Sequence, residues 1–313
     1  MADDRLTRRQ AWMIAAACLA VFLLSVGLRI AEYRRWERPE LAVQGEQLLA
    51  TNDAYFWVAG AERSNSIAQP MPMAVLLRLA SRILSAPPAE LSFWGAAVLA
   101  ALAVVPAALW CFELGAPYAA FLAPVLIGLA PAFYNRTRLG FYDSDWAALF
   151  FPLLTSWLLA RWIRPRLRGD EENSPRSKGG LTLPALIILA IAFGRPWHPF
   201  IGLFTLAVLG LAGVLVVFKG RPEASGTALL TLLAIALPAG WGWIGAAAGL
   251  LLAWWSGRRP VILQRPWVVR ISAATLILLL AAIVGLQFQE YLLEAARAYL
   301  GRFTGGGAAD LNL

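Results

Sequence analysis

Between Asn135 and Trp146 the chain reads Asn-Arg-Thr-Arg-Leu-Gly-Phe-Tyr-Asp-Ser-Asp-Trp, a polar interruption between two apolar runs. Asp143 and Asp145 stand two residues apart, so in an extended or turn segment both carboxylates can face one point. Hard divalent cations such as Mg²⁺ or Mn²⁺ are held by oxygen donors in that way. Ionisable groups at the mouth of a membrane span need a reason to be there. A plainer role competes with metal binding, because Ser144 or Asp145 can simply cap the helix that follows, with negative charge favoured at its N-terminus. What tips the balance is a third acid, Asp53, in Thr51-Asn52-Asp53-Ala54-Tyr55-Phe56-Trp57. By itself Asp53 reads equally well as a helix cap followed by interface aromatics. With Asp143 and Asp145 it supplies the oxygens of a cage for one divalent cation, Mn²⁺ or Mg²⁺.

The elements that must position these acids are membrane helices. Of the 313 residues, 59% are hydrophobic and 15% charged, and the mean hydropathy is +0.63, well beyond a soluble domain. The apolar runs have helix length and lack the short alternation of an outer-membrane barrel. The fold class expected is all-α, a polytopic transmembrane helix bundle of about nine spans. They fall near 11–30, 89–112, 117–134, 146–163, 181–196, 199–218, 225–239, 240–256 and 267–288, with a division at Ala239 and Gly240 the least marked. A long first external loop, 32–88, contains an interfacial helix over Met73–Leu84. The segment Gly169–Gly180, rich in charge, Ser, Pro and Gly, reads as a mobile loop. Residues 289–313 form an external tail that starts with an amphipathic stretch, Gln289–Leu300.

Charge sets the orientation. The net charge is +8, but the arginines sit in short connections, where basic residues fix topology. Nucleic acid is therefore not the expected partner, and no reading motif for it is present. With residues 1–10 in the cytoplasm, the basic connection 161–179, Lys219 with Arg221, and Arg258 with Arg259 and Arg265 all come out cytoplasmic. Asp53, the Asn135–Asp145 connection and the Trp197-His198 turn come out on the opposite face. Arg29 falls near the outer end of the first span, where it can snorkel or pair with Glu32. Cys18 and Cys111 offer neither a thiolate metal site nor a disulfide framework.

The two acidic segments, Thr51–Gly60 and Asn135–Pro152, resemble those of oligosaccharyltransferases, most closely the bacterial single-subunit form. These membrane enzymes move a glycan from a polyprenyl diphosphate to asparagine. That form has Asn-Asp-x-Tyr in its first external loop and Asn-Arg-Thr-x-x-Gly-Tyr-Tyr-Asp-Thr-Asp before its fourth span. The resemblance implies that Asp53, Asp143 and Asp145 bind or orient the metal, that Asp53 and Asp143 also face the acceptor amide, and that Arg136 is an active-site cation. The sequon Asn135-Arg136-Thr137 then reads as part of the site. The turn Phe193-Gly194-Arg195-Pro196-Trp197-His198-Pro199 is similar to an aromatic turn associated with the donor, which makes Arg195, Trp197 and His198 donor-binding candidates. An interface-anchored turn between Pro-broken helices is the equal alternative.

The implied partners are a polyprenyl-diphosphate-linked glycan, an acceptor polypeptide with a sequon, and membrane lipids, in a bacterial inner membrane. Family members continue past this length with a glutamate-bearing loop, further spans and a Trp-Trp-Asp domain, so the chain is expected to be the N-terminal part of such an enzyme, with a C-terminal complementing chain as a possible partner. Glu290 or Glu294 are substitutes for the missing glutamate only if Gln289–Leu300 leaves the membrane surface. Two other functions compete: transfer of a single sugar from a polyprenyl phosphate to lipid or polysaccharide, and an inactive scaffold or transport protein. The acids sit at span ends on one face, which disfavours transport.

Overall fold

Apolar runs of this length must close their backbone hydrogen bonds internally, and the chain does so almost entirely as α-helix. The computed structural model describes residues 8–43, 46–168, 181–219, 222–258, 263 and 265–303. They divide into two units, one built from Met1–Arg164 with Thr182–Thr205, the other from Pro165–Leu181 with Leu206–Leu313.

The first unit opens with α1 (Arg8–Ile30), followed by two short 3-10 turns, Ala31–Arg35 and Pro39–Leu41, and a minimal antiparallel pair. In that pair β1 (Ala42–Val43) meets β2 (Glu46–Gln47), with Ala42 opposite Gln47. The expected 32–88 loop is thus largely ordered structure. It continues into α2 (Asn52–Ala61) and α3 (Pro72–Leu84), then α4 (Pro88–Glu113), α5 (Ala119–Gly128), α6 (Pro131–Asn135), α7 (Asp145–Arg168), α8 (Thr182–Gly194) and the start of α9 (Pro199–Lys219). Helix α4 is the spine. Ala96, Ala97, Ala100, Ala101, Ala103, Ala107 and Ala108 along it are all buried, and such small side chains let neighbouring helices approach closely. Helices α1 and α5 pack on it. The core beneath the acidic segments draws Ala54 and Val58 from α2, Met73 and Leu77 from α3, Phe93 from α4, Leu139 and Tyr142 from the loop, and Trp146 and Phe151 from α7.

The second unit holds the rest of α9, α10 (Pro222–Ser256) and α11 (Pro266–Phe303). Helix α10 is two arms joined at Gly242, whose φ of 56° and ψ of −131° leave the helical region. The arms fold back on each other. Gly245 lies against the Leu237 carbonyl, and Thr231 Oγ1 comes within 3.5 Å of Ser256 Oγ across 25 residues of chain. The division expected near Ala239 is therefore real and falls three residues later.

The expected apolar runs are helical, but not all as one long helix. Among the described residues five helices are long and apolar enough to cross a membrane, the fifth being the folded α10. The runs at 117–134 and 181–196 give only the 10 residues of α5 and the 13 of α8. At ~1.5 Å per residue they cover about 15 and 20 Å, short of the ~30 Å hydrocarbon core. The first is cut because Pro131 forces Ala130 into extended geometry, φ −53° and ψ 125°. Helix α11 runs without a break through Gln289–Leu300, where a separate surface stretch was expected. Glu290 and Glu294 lie on it, with side chains outside the described ones. The Gly169–Gly180 loop, and the tail beyond Phe303, also lie outside the described residues.

Candidate active site

The local sequence explains why Asp53 is free. Thr51, in extended geometry, is the cap of α2, its Oγ1 accepting from Ala54 N at 3.2 Å. Capping is thereby satisfied one position before the helix, and Asp53 sits exposed in its first turn. The alternative in which Asp53 serves as the cap is ruled out by that bond.

The second acidic segment is pinned at three points. Gly140 has φ +76°, and a Cβ there would lie 3.1 Å from the Trp36 ring and 3.3 Å from Ala50 N. Only glycine accepts both the left-handed conformation and the close approach. Its N–H donates to the Phe93 carbonyl at 3.2 Å, and its carbonyl accepts from Ala50 N at 3.0 Å. Ala50 immediately precedes Thr51, so this backbone bond ties the Asp53 segment to the loop of Asp143 and Asp145. Tyr142 is the second pin. Its ring lies against Gly95, and its hydroxyl donates to the Met73 carbonyl at 3.3 Å. Burial pushes its phenol well above the usual range.

Arg29 is the third pin, and here the expectation of a snorkelling side chain fails. None of its surface is exposed. Its Nε donates to the Thr137 carbonyl at 3.1 Å and Nη2 to Thr137 Oγ1 at 3.1 Å. Nη2 also donates to the Gly128 carbonyl at 3.0 Å, and Nη1 to Ser25 Oγ at 2.8 Å. Glu32 instead lies 4.0 Å from Arg35. Beyond Ser25, the partners of Arg29 are 99 and 108 residues distant in sequence, which is why no local pattern announced them.

At the site itself, Arg136 Nε donates to Asp145 Oδ2, and Arg136 Nη2 lies 3.8 Å from Asp143 Oδ2. Asp143 Oδ1 accepts from Ser144 N at 2.6 Å. Burial holds the Asp143 carboxyl above the ordinary range, against that N–H, and the charges of Asp145 and Asp53 raise it further while Arg136 lowers it. Arg136 is held more firmly protonated, first by the bond to Asp145, with Asp143 and Asp53 adding to it. Asp53 therefore lies within electrostatic reach of both. The three acids do not form the expected cage in this arrangement: among the described residues no three Asp, Glu, His or Cys side chains gather closely enough to hold a metal ion. Arg136 takes up the Oδ2 atoms of Asp143 and Asp145 instead. The donor chemistry nonetheless fits a hard divalent cation. Two carboxylates meet one guanidinium whose side chain is 65% exposed, Asp53 adds its charge, and a cation would offset the burial and the like charges that together raise Asp143.

The third turn joins this site through aromatic packing. Trp197 stands edge-on to Trp146, ring centroids 5.1 Å apart, next to Asp145. Gly194 lies so close to Phe151 that a Cβ would come within 2.6 Å of the ring. His198 caps α9, its Nδ1 accepting from Phe200 N at 3.2 Å. Arg195 is exposed. The structure thus brings Trp197 beside the acids and gives His198 a local structural task.

The same segment has been met before in known proteins. Residues 71–289 match the family model described as oligosaccharyl transferase STT3, N-terminal. The chain belongs to this family. The match includes Asn135–Asp145 and starts after Asp53. Two curated relatives, both called undecaprenyl-diphosphooligosaccharide–protein glycotransferase and both from strains of Campylobacter jejuni, are 27% identical over 125 residues. The alignment takes in 40% of this chain and 16% of each relative, so the chain spans only a small part of the STT3-type proteins it matches. Sequence reasoning singled out the acids, Arg136 and Trp197 as candidates but missed Arg29 as a structural partner of the loop. It noted Gly140 within the motif without its clamp; the signal available was a lone glycine between bulky residues.

Proposed function

We propose that this chain carries the N-terminal membrane part of an oligosaccharyltransferase site, which moves an oligosaccharide from a polyprenyl diphosphate to the asparagine of an Asn-x-Ser/Thr sequon. The observation that supports this reading is the Gly140 to Ala50 clamp, which ties the segment of Asp53 to the loop of Asp143, Asp145 and Arg136, with the Asp53 charge acting on Asp143 and Arg136.

An amide nitrogen is a poor nucleophile because its lone pair is conjugated. Asp53 and Asp143 accept the two amide hydrogens and so weaken that conjugation. Asp143, whose carboxyl already favours the proton, is placed to take one as the nitrogen bonds to the sugar C1. The C1–O bond to the diphosphate breaks, and the electron pair leaves with the phosphate oxygen. Arg136, exposed and held by the same acids, turns toward that charge. Asp53, Asp143 and Asp145 would hold a divalent cation, Mn²⁺ or Mg²⁺, which supplies Lewis-acid stabilisation of the leaving diphosphate. Trp197, edge-on to Trp146, offers an apolar and aromatic face to the sugar or the first isoprenes, and Arg195 an exposed cation to the diphosphate. The basic connections support a cytoplasmic N-terminus with the site on the external face of a bacterial inner membrane.

The test places the purified chain in nanodiscs with Mn²⁺, a lipid-linked glycan and a fluorescent sequon peptide, with and without a completing C-terminal region. Metal-dependent donor binding is expected from the chain, and transfer to the peptide once the remainder is supplied. Transfer to lipid instead of peptide, or donor binding indifferent to Asp53→Asn and Asp143→Asn, would overturn the reading.

A further inference from the structure

A cation inside a membrane helix whose hydrogen bonds end on neutral groups is costly, and such residues are kept for a task. Arg29 is this case: the Glu32 carboxylate acts on it through its charge, but its hydrogen bonds go elsewhere. Its five hydrogen bonds end on neutral oxygens of Ser25, Gly128 and Thr137, and its guanidinium also lies 5.7 Å from the Phe133 ring centroid and 5.3 Å from that of Tyr134. It joins three elements that the sequence keeps apart: the end of α1, the end of α5 and the start of the acidic loop. Thr137 is held twice, at its carbonyl and at its hydroxyl, while that hydroxyl donates to the Phe133 carbonyl at 2.7 Å. Arg136 is the adjacent residue, and among the described residues its side chain is anchored by the two aspartates. Gly128 serves the packing of α5 on α4, since a Cβ there would lie 3.1 Å from a Val104 methyl, while Ser25 Oγ at 3.6 Å and the guanidinium at 4.0 Å would remain in ordinary contact.

We propose that Arg29 is a positioning residue for the transfer site: by fixing both polar atoms of Thr137 it sets where the Arg136 guanidinium meets Asp143 and Asp145. The same grip closes Asn135-Arg136-Thr137 to use as a glycosylation acceptor, because the threonine hydroxyl is already committed on both sides. This rests on the functional reading above for its consequence in turnover, and on the hydrogen bonds alone for its consequence in loop order.

The experiment keeps those two apart. Amide exchange is measured on the chain in nanodiscs for Arg29→Gln, Arg29→Lys and Thr137→Val, and glycan transfer is measured on the same variants in the completed enzyme. Expected is exchange at least about tenfold faster in 136–141, with Pro88–Glu113 as protected as before. Turnover falls about a hundredfold with donor KM within about twofold, the cost of a misplaced catalytic group. In an Arg136→Gln background Arg29→Lys adds almost nothing to the loss, because the two act as one unit. Additive losses, or unchanged exchange in 136–141, overturn the proposal. Should Arg29→Gln loosen Pro88–Glu113 as well, Arg29→Lys and Thr137→Val decide by the same two criteria. Faster exchange with no transfer from any form, the parent chain included, leaves the positioning role standing and removes the functional reading.

Discussion

The two ends of α7 carry opposite kinds of ion cluster. Near its C-terminus Glu113 meets two cations, Arg164 Nη1 at 3.1 Å and Arg161 Nε at 3.9 Å, and the Glu113 carbonyl accepts from Arg164 as well. Arg161 also lies 5.2 Å from the Trp157 ring centroid. One acid is shared by two bases at a helix end that favours positive charge. At the N-terminus the ratio is reversed, with Arg136 alone among Asp143, Asp145 and Asp53. The first cluster is complete as it stands, whereas the second carries surplus negative charge around a cation that solvent can reach. A closed ion pair holds two helices together; an unbalanced one is a place where a ligand's charge does the balancing.

The sharpest break of this contrast is Asp143→Asn set against Glu113→Gln. The first lowers glycan transfer by about a hundredfold to a thousandfold, the range for removing a group that acts on the reacting centre. Glu113→Gln leaves kcat within about twofold and costs at most ~1 kcal/mol of stability, because its partners are partly exposed, as thermal unfolding in detergent would register. Gly140→Ala ranks next. The left-handed residue and the crowded Trp36 ring together cost about 1–2 kcal/mol, and Mn²⁺ affinity, read by paramagnetic resonance, drops with it because the Asp53 segment loses its tie.

Acidity offers a subtler probe. The Asp143 carboxyl lies above its ordinary range, so the folded chain keeps this proton at pH values where the unfolded chain has lost it. Ionising Asp143 therefore costs stability as pH rises through that window, and the cost persists above it. A bound cation reverses the preference. Mn²⁺ affinity should consequently weaken on acidification before ordinary carboxylates protonate, and Asp143→Asn should remove that limb of the titration. A pH-independent affinity would count against Asp143 as a ligand. The smallest effect is His198→Ala, which removes the α9 cap and costs from a few tenths to about 1 kcal/mol, with transfer little changed.

How much of this was legible depended on sequence distance. Asp143 and Asp145 are two residues apart, and the structure does turn both toward one point, where they meet Arg136. The apolar segments were equally readable, because hydropathy is a local property, and even the break inside α10 was visible as a weak point. Helix α5 was overestimated since hydropathy runs smoothly across Ala130, while Pro131 stops the helix by backbone geometry that composition does not register. Asp53 was placed near the other acids by topology alone, and the structure brings it into electrostatic range without collecting the three into a cage. Arg29 escaped entirely, because an arginine at the end of an apolar run looks like an interface anchor until its distant carbonyl partners are seen.

The reversal at Gly242 has a consequence for direction. Drawn straight, the 35 residues of α10 would reach about 50 Å and deliver the chain to the far leaflet. Folded at one glycine, the two arms bring Thr231 back to Ser256. The direction in which the chain leaves Ser256 therefore depends on that single residue at positive φ, so a β-branched side chain at position 242 would turn the following segment elsewhere.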